Sequence, residues 1–544
     1  MSRRLQIAAG LILLALLTWA RVRLIDSLPD QGYFAKYTIV ADQILAGRIP
    51  RDRLLDFSPL YLWFVVAMRA IGAGFRAIRT LQIVLVSAGA VLVALAARRF
   101  GLLAVTAAPI LLLGSRGALV CATELEPETF ILVLNAGALA CLVEDSRPRL
   151  SGQPRAAVLH FLAGFLLGLS AACRPVALLV VIAIAIAMRS WRLIAGAIVP
   201  IIVILIVNLS LTGGITLMDP GTVFYEGTNS NAAGYEGVQP RIVNDLERQS
   251  RDPDYLHVAY RVVAAKALGH PVTRAESNRY WTAKALAFVR AYPLAALRLT
   301  ARKFYFALQS YEPYDLATMA RKDFLLSRGF FIPFGVTVAL ALMAMLLRVR
   351  GIAPLVIFVC AAGVTLVIFY VTSRQRNAIL PPMVIHAAAG LATWSRLLVG
   401  SRRLRAGATL IIAVAIAVLL SITGPAQRED AAGWLGVRNG FDQAIALEQQ
   451  GQWMQADALL AQLENEHYRP IRENRAVSSV AYYRAVAAAH LGRDPRPFLA
   501  VAEREAPGNE HVLAMQAALG NRSAERLLFE LHDPFTARRA LQGM

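Results

Sequence analysis

Long uninterrupted apolar runs limit what this chain can fold into more than any other feature. Leu5–Ala20, Val84–Ala97, Ala157–Ala172, Leu178–Met188, Leu193–Leu211, Phe331–Leu347, Ile352–Val371 and Ala406–Ile422 each approach the roughly 20 apolar residues that span a bilayer. In hydrocarbon every backbone N–H and C=O must be satisfied within the protein, so runs of this kind are expected to be helices. The 544 residues are 57% hydrophobic and 17% charged, against about 25% charged in an ordinary soluble chain. Lipid is therefore the expected solvent for much of the molecule.

The formal net charge of +20 would fit a nucleic-acid ligand if the cations lined one polar face, but the arginines sit at the ends of the apolar runs. With a cytoplasmic N-terminus and spans near 5–20, 80–97, 101–118, 127–143, 156–172, 175–189, 192–212, 329–347, 351–372, 378–396 and 406–423, eleven crossings follow. Fifteen arginines then fall in short cytoplasmic segments, while the short outer loops hold Arg116, Arg174, Arg374 and Arg376. That asymmetry is the one the positive-inside rule describes. Leu60–Met68 is read as an interfacial or re-entrant piece of the first outer loop. Leu5–Ala20 follows Arg3 and Arg4 as a signal peptide would, yet no small-residue cleavage site follows, and it is read as a retained first span. Cys121, Cys141, Cys173 and Cys360 lie in or beside apolar segments, as buried small hydrophobes rather than a disulfide frame.

Two regions are hydrophilic. Residues 213–327 form a large outer loop, and the terminal segment reads as helical pairs: Phe441–Gln450 and Trp453–Glu466 around Gly451, then Ala476–Leu491 and Pro497–Glu505 around Gly492. That spacing is near the 34-residue helical hairpin and resembles a short tetratricopeptide-like array, with a generic helical cap as the alternative. The expected architecture is an all-α membrane protein of about eleven transmembrane helices. A membrane domain covers 1–425, with outer loops at 21–79 and 213–327, and a helical, tetratricopeptide-like domain covers 426–544.

Chemistry-bearing residues gather on the outer side. The first outer loop runs Pro29-Asp30-Gln31-Gly32-Tyr33, then Ala41-Asp42-Gln43 to Ile49-Pro50, then Asp56-Phe57-Ser58-Pro59-Leu60-Tyr61. Thr123-Glu124-Leu125-Glu126-Pro127-Glu128 opens the fourth span, Gly168-Leu169 to Arg174-Pro175 breaks between two spans, and Asn229-Ser230-Asn231 lies in the large loop. Lys303-Phe304-Tyr305-Phe306 with Glu312 closes that loop, and Ser373-Arg374-Gln375-Arg376-Asn377 precedes Leu380-Pro381-Pro382. In this order and sidedness, over roughly residues 1–425, the pattern resembles the polytopic glycosyltransferases of the C-type fold, particularly the bacterial relatives of protein mannosyltransferases and lipid A aminoarabinose transferases.

The resemblance implies a periplasmic active site in a bacterial inner membrane, and a sugar moved from a polyprenyl-phosphate donor to a glycan, lipid or protein acceptor. The family's catalytic carboxylate falls on Asp30, and its second acidic residue on Glu128 or Glu126. Family members often carry a second acid after the first, where this chain has Gln31, which weakens a metal-binding role for the pair. No cofactor is called for and a divalent ion is not required. Arg174, Arg374 and Arg376 are the expected phosphate ligands, since a guanidinium offers a planar fork that stays charged. Snorkelling, or pairing with Glu126 or Glu128, is the plain structural alternative. Asn229, Lys303 and Tyr61 complete the expected substrate contacts. One base opposite the leaving phosphate implies inversion at the anomeric carbon. Asp26 and Asp42 compete with Asp30 for that role, and Glu128 has pairing with Arg116 as its alternative. The histidines lack ligand spacing, and no phosphate-binding glycine loop or serine-histidine signature is present. A flippase or transporter of lipid-linked sugars is the rival reading, although inverted-repeat symmetry is not evident in the sequence.

Overall fold

A computed structural model describes residues 3–26, 35–48, 51–145, 154–175, 177–212, 220–235, 237–250, 255–314, 317–326, 329–399, 402–422, 433–464 and 474–542. Among them the regular structure is helical throughout, with no β-strand. The chain divides into two compact units: 1–218 with 307–367 and 371–421, and 219–306 with 368–370 and 422–544.

The first unit is an apolar helical bundle. Four of its helices are long and apolar enough to cross a membrane: Phe75–Phe100, Ala156–Cys173, Trp191–Leu211 and Arg403–Ser421. Leu102–Leu113 and Arg116–Ala122 make a fifth if the pair, bent by 56°, is one broken span. Shorter apolar helices, Pro59–Ala70, Glu128–Val143, Ala177–Met188, Phe334–Leu346 and Ala353–Ile368, fill out the set. The 56° bend has a local cause. Ser115 caps the second piece by accepting the Ala118 N–H at 3.3 Å, while Gly114 leaves room for Ile332, whose side chain would lie 2.7 Å from an added Cβ.

Lipid supplies no hydrophobic force between helices, so close backbone approach must do the holding. Pro154–Cys173 and Trp191–Thr212 pack in that way. A Cβ on Gly164 would collide with the Leu193 carbonyl oxygen, one on Gly168 with that of Ala197, and one on Gly196 with that of Phe161. Gly164 and Gly168 are four apart and share a face, the small-xxx-small arrangement that lets two helices touch. The outward side of Trp191–Thr212 exposes Ile194, Ile198, Ile202, Val203 and Ile206, the composition a lipid-facing surface requires.

The second unit joins helices of the large loop to the terminal ones. Gly433–Gln449 pairs with Trp453–Gln462, Asn474–His490 with Arg496–Glu505, and Glu510–Ala518 with Arg522–Leu531, followed by Pro534–Gln542. The turns carry Gly451, Gly492 and Gly520 at φ of 75°, 70° and 92°, values that L side chains rarely adopt. Each hairpin buries a small apolar core, the first around Ala444, Leu460 and Val480 and the second around Ala485, Leu499 and Val512. The last helices share a core with Arg274–Ala291 and Pro293–Leu308 through Phe288, Leu299, Leu513, Leu528 and Leu531.

Candidate functional site

In the first unit, residues 123–127 connect Arg116–Ala122 to Glu128–Asp145, and the turn places Glu124, Glu126 and Glu128 in the protein interior. Three carboxylates buried side by side between apolar helices are unstable unless each finds a cation. Each does. Lys322 Nζ lies 2.8 Å from Glu124, and both side chains are fully buried. Glu126 takes Lys36 Nζ at 3.1 Å on one oxygen and Arg374 Nη1 at 3.4 Å on the other. Glu128 pairs with Arg174. Burial pushes the Glu124 carboxyl up, and the Lys322 ammonium pulls it the other way.

The backbone of the turn is held from behind. Gln82, wholly buried, donates from Nε2 to the carbonyls of Ala122 at 3.0 Å and Glu124 at 2.6 Å, and its Oε1 accepts the Tyr61 hydroxyl. Tyr61 and Tyr37 meet edge to face at 4.9 Å within an aromatic cluster that also takes in Phe57 and Leu125. Tyr61, expected against substrate, therefore acts on the acidic turn through Gln82.

Arg376 is committed inside the protein. It donates to the carbonyls of Gln309, at 2.6 Å, and Tyr311, and to Glu312 Oε2 at 2.5 Å, with its plane over the Phe334 ring at 4.7 Å. Gly117 lies close beside that pair: a Cβ there would sit 3.0 Å from Glu312 Oε2, so the carboxylate would have to shift slightly. Arg116 pairs with Asp323 at 2.7 Å rather than with Glu128, and Tyr314 donates to the same carboxylate at 2.9 Å. Burial raises Asp323 to about 6 against the pull of Arg116.

Arg174 and Arg374 remain the arginines that reach the surface while anchored on buried acids; their side chains are 29% and 12% exposed. Glu128 is 1% exposed, and its Oε2 is buried without a hydrogen-bond partner among the described residues. A carboxylate held on one oxygen and bare on the other is equipped to accept a hydrogen bond from a hydroxyl. Among the described residues, these ion pairs join Lys36, Arg116, Arg174, Lys322, Arg374 and Arg376 to Glu124, Glu126, Glu128, Glu312 and Asp323.

Asp30, expected as the base, and its neighbour Gln31 lie outside the described residues. Asp42, its competitor, is bound in fork geometry by Arg69, Nε at 2.8 Å and Nη2 at 3.0 Å. Asn229 and Lys303 belong to the second unit. Asn229 staples its own loop, donating to the Tyr225 and Val238 carbonyls at 2.8 and 3.0 Å and accepting the Asn231 N–H at 2.8 Å. Lys303, 2% exposed, reaches the neighbouring Thr228 Oγ1 at 3.3 Å and the Ile368 carbonyl at 3.2 Å, and burial lowers it to about 8.

Lys36, Lys322, Glu124, Gln82 and Asp323 are the members that sequence reading missed. Periodicity carries no sign of them, since Lys322 meets Glu124 across 198 positions. A lysine just beyond the first outer loop's acid and another in the large loop were the available signals. No group of three or more His, Cys, Asp or Glu side chains among the described residues is arranged to hold a metal ion. Comparison with known proteins finds no matching family model, no similar curated protein and no similar solved structure.

Proposed function

We propose that this chain is a membrane glycosyltransferase that takes a sugar from a polyprenyl-phosphate donor on the outer face of a bacterial inner membrane. The observation that carries the proposal is the buried acidic turn, with Glu128 gripped by Arg174 through one oxygen and bare on the other. Ionisable groups set among apolar helices are costly and mark substrate sites by default. In this reading Arg3–Asp26, Leu380–Val399 and the shorter helices Glu128–Val143, Ala177–Met188, Phe334–Leu346 and Ala353–Ile368 join the four long helices and the bent pair as eleven crossings in a C-type fold. Arg174 and Arg374 take the donor phosphate at the membrane surface, exchanging part of their hold on Glu128 and Glu126 for the lipid-linked anion. Arg376 is a positioning residue that fixes the 309–312 segment.

The chemistry is a direct displacement. The acceptor oxygen forms a bond to the anomeric carbon, the bond from that carbon to the phosphate oxygen breaks, and the electron pair leaves with the polyprenyl phosphate. Asp30 takes the acceptor's proton, and Glu128 Oε2 orients the acceptor hydroxyl. Full-length protein in lipid nanodiscs, supplied with polyprenyl-phosphate sugars and cell-envelope acceptors, should release polyprenyl phosphate and form a glycosylated product. Release with none of the donors tried, by protein shown to be folded, counts against the reading.

The bent pair Leu102–Leu113 and Arg116–Ala122 favours one alternative, since transporters build their sites on broken helices. A flippase would move the same donor between leaflets with its glycosidic bond intact, so the same nanodisc assay separates the two.

A further inference from the structure

The terminal hairpins of the second unit enclose a groove of about 900 Å³, within the range of built ligand pockets, roughly 300–1,000 Å³. Its wall is formed by the first helix of each successive hairpin, Gly433–Gln449, Asn474–His490 and Glu510–Ala518, together with Pro534–Gln542 and the start of Arg241–Gln249. Stacking helical hairpins brings those first helices side by side, so their inward residues form one continuous surface.

Among the described residues, one polar group there has no protein partner. Glu448 is 7% exposed, yet its Oε1 is buried and makes no hydrogen bond. A buried acceptor left unmet carries a desolvation penalty, which a donor from a ligand recovers. The neighbouring acid, Glu510, is by contrast engaged by Asn231 Nδ2 at 2.9 Å. Around Glu448 the groove is aromatic. Tyr482 and Tyr483 meet at 5.2 Å, Tyr482 approaches His511 at 5.6 Å, and His490 lies flat on Trp453 at 3.7 Å with 5° between the rings. Arg241 and Arg539 add guanidinium donors to the lining.

We infer that this groove binds an oligosaccharide, with a sugar hydroxyl donating to Glu448 Oε1 and the flat faces of sugar rings lying on the tyrosines. Each sugar ring presents vicinal hydroxyls that both donate and accept, which suits a lining of carboxylate, guanidinium, phenol and imidazole. It also presents a C–H face that an aromatic ring covers. Among the described lining residues Gln542 is the sole amide, so the groove offers no row of amides to pair with the alternating N–H and C=O groups of a peptide. The inference stands on the groove alone and does not require that the first unit transfer sugars.

The test uses full-length protein in detergent on a printed array of bacterial cell-envelope oligosaccharides, beside an array of unstructured peptides. The wild-type protein should retain a defined subset of glycans and no peptide set. Arg241→Ala, an exposed position that leaves the core untouched, and Tyr483→Ala should each weaken that retention by about tenfold or more. Glu448→Gln should weaken it at unchanged thermal stability, while Gly363→Ala, where an added Cβ meets nothing within 4 Å, should leave it intact. No retained glycan, retention unaltered by both Arg241→Ala and Glu448→Gln, or peptides retained in place of glycans would each overturn the inference.

Discussion

Glu124 and Lys322 have no measurable exposure and lie 2.8 Å apart, so neither can lose its partner cheaply. Lys322→Met leaves a buried carboxylate uncompensated and should cost about 3–5 kcal/mol. Adding Glu124→Gln should restore much of that loss, and thermal unfolding in detergent measures both. Equal damage from the single and double variants would mean that Lys322 acts through something other than this pair. Arg374 is the residue on which donor binding is expected to turn. Arg374→Ala should weaken capture of a polyprenyl-phosphate sugar, and Lys should rescue it in part, because an ammonium keeps the charge but lacks the fork. Unchanged capture by the alanine variant would leave Arg374 as a counter-ion of Glu126 and nothing more.

Among the elements, the Pro154–Cys173 and Trp191–Thr212 pair depends on the absence of side chains at Gly164, Gly168 and Gly196. Gly164→Leu should separate the two helices and abolish the folded species on size exclusion, whereas Gly363→Ala, which meets nothing within 4 Å, should be silent. Helices of this kind were legible in the sequence because hydrophobicity and length alone announce them, and Gly451 and Gly492 marked the terminal turns because a tight C-cap needs positive φ. Arg174 and Arg374 drew notice in the sequence because the expected topology puts them in the arginine-poor loops, but their pairing with Glu128 and Glu126 had no local signal and stood only as the alternative to phosphate binding. The other cations that neutralise the acidic turn were not legible. Lys36 and Lys322 are joined to Glu126 and Glu124 by tertiary packing, and nothing in the local pattern around a surface-loop lysine distinguishes one that ends fully buried. The same reason hid the role of Tyr61, whose hydroxyl is committed to Gln82 on another helix. Asn229 was noticed for its loop, but the contacts it makes are to that loop's own carbonyls.

At the scale of the whole molecule, the proposed eleven crossings and the arginine asymmetry of the sequence lead us to expect the terminal hairpins outside the cytoplasm. A reporter active only in the cytoplasm, fused after Met544, should stay dark, while one active only outside should respond. The reverse result would rule out eleven crossings with a cytoplasmic N-terminus. The central claim is that the chain consumes a lipid-linked sugar with Asp30 as base, and the most direct test is genetic. Glycans and lipid-linked sugars are compared in a deletion strain carrying nothing, the wild-type chain or Asp30→Asn. In the deletion strain a polyprenyl-phosphate sugar should accumulate while one envelope glycan loses that sugar. Wild type should reverse both changes, and Asp30→Asn, with turnover lowered by roughly 10²–10⁴-fold, should reverse neither. Identical glycans and lipid-linked sugars with and without the gene, or equal rescue by Asp30→Asn, would contradict the account.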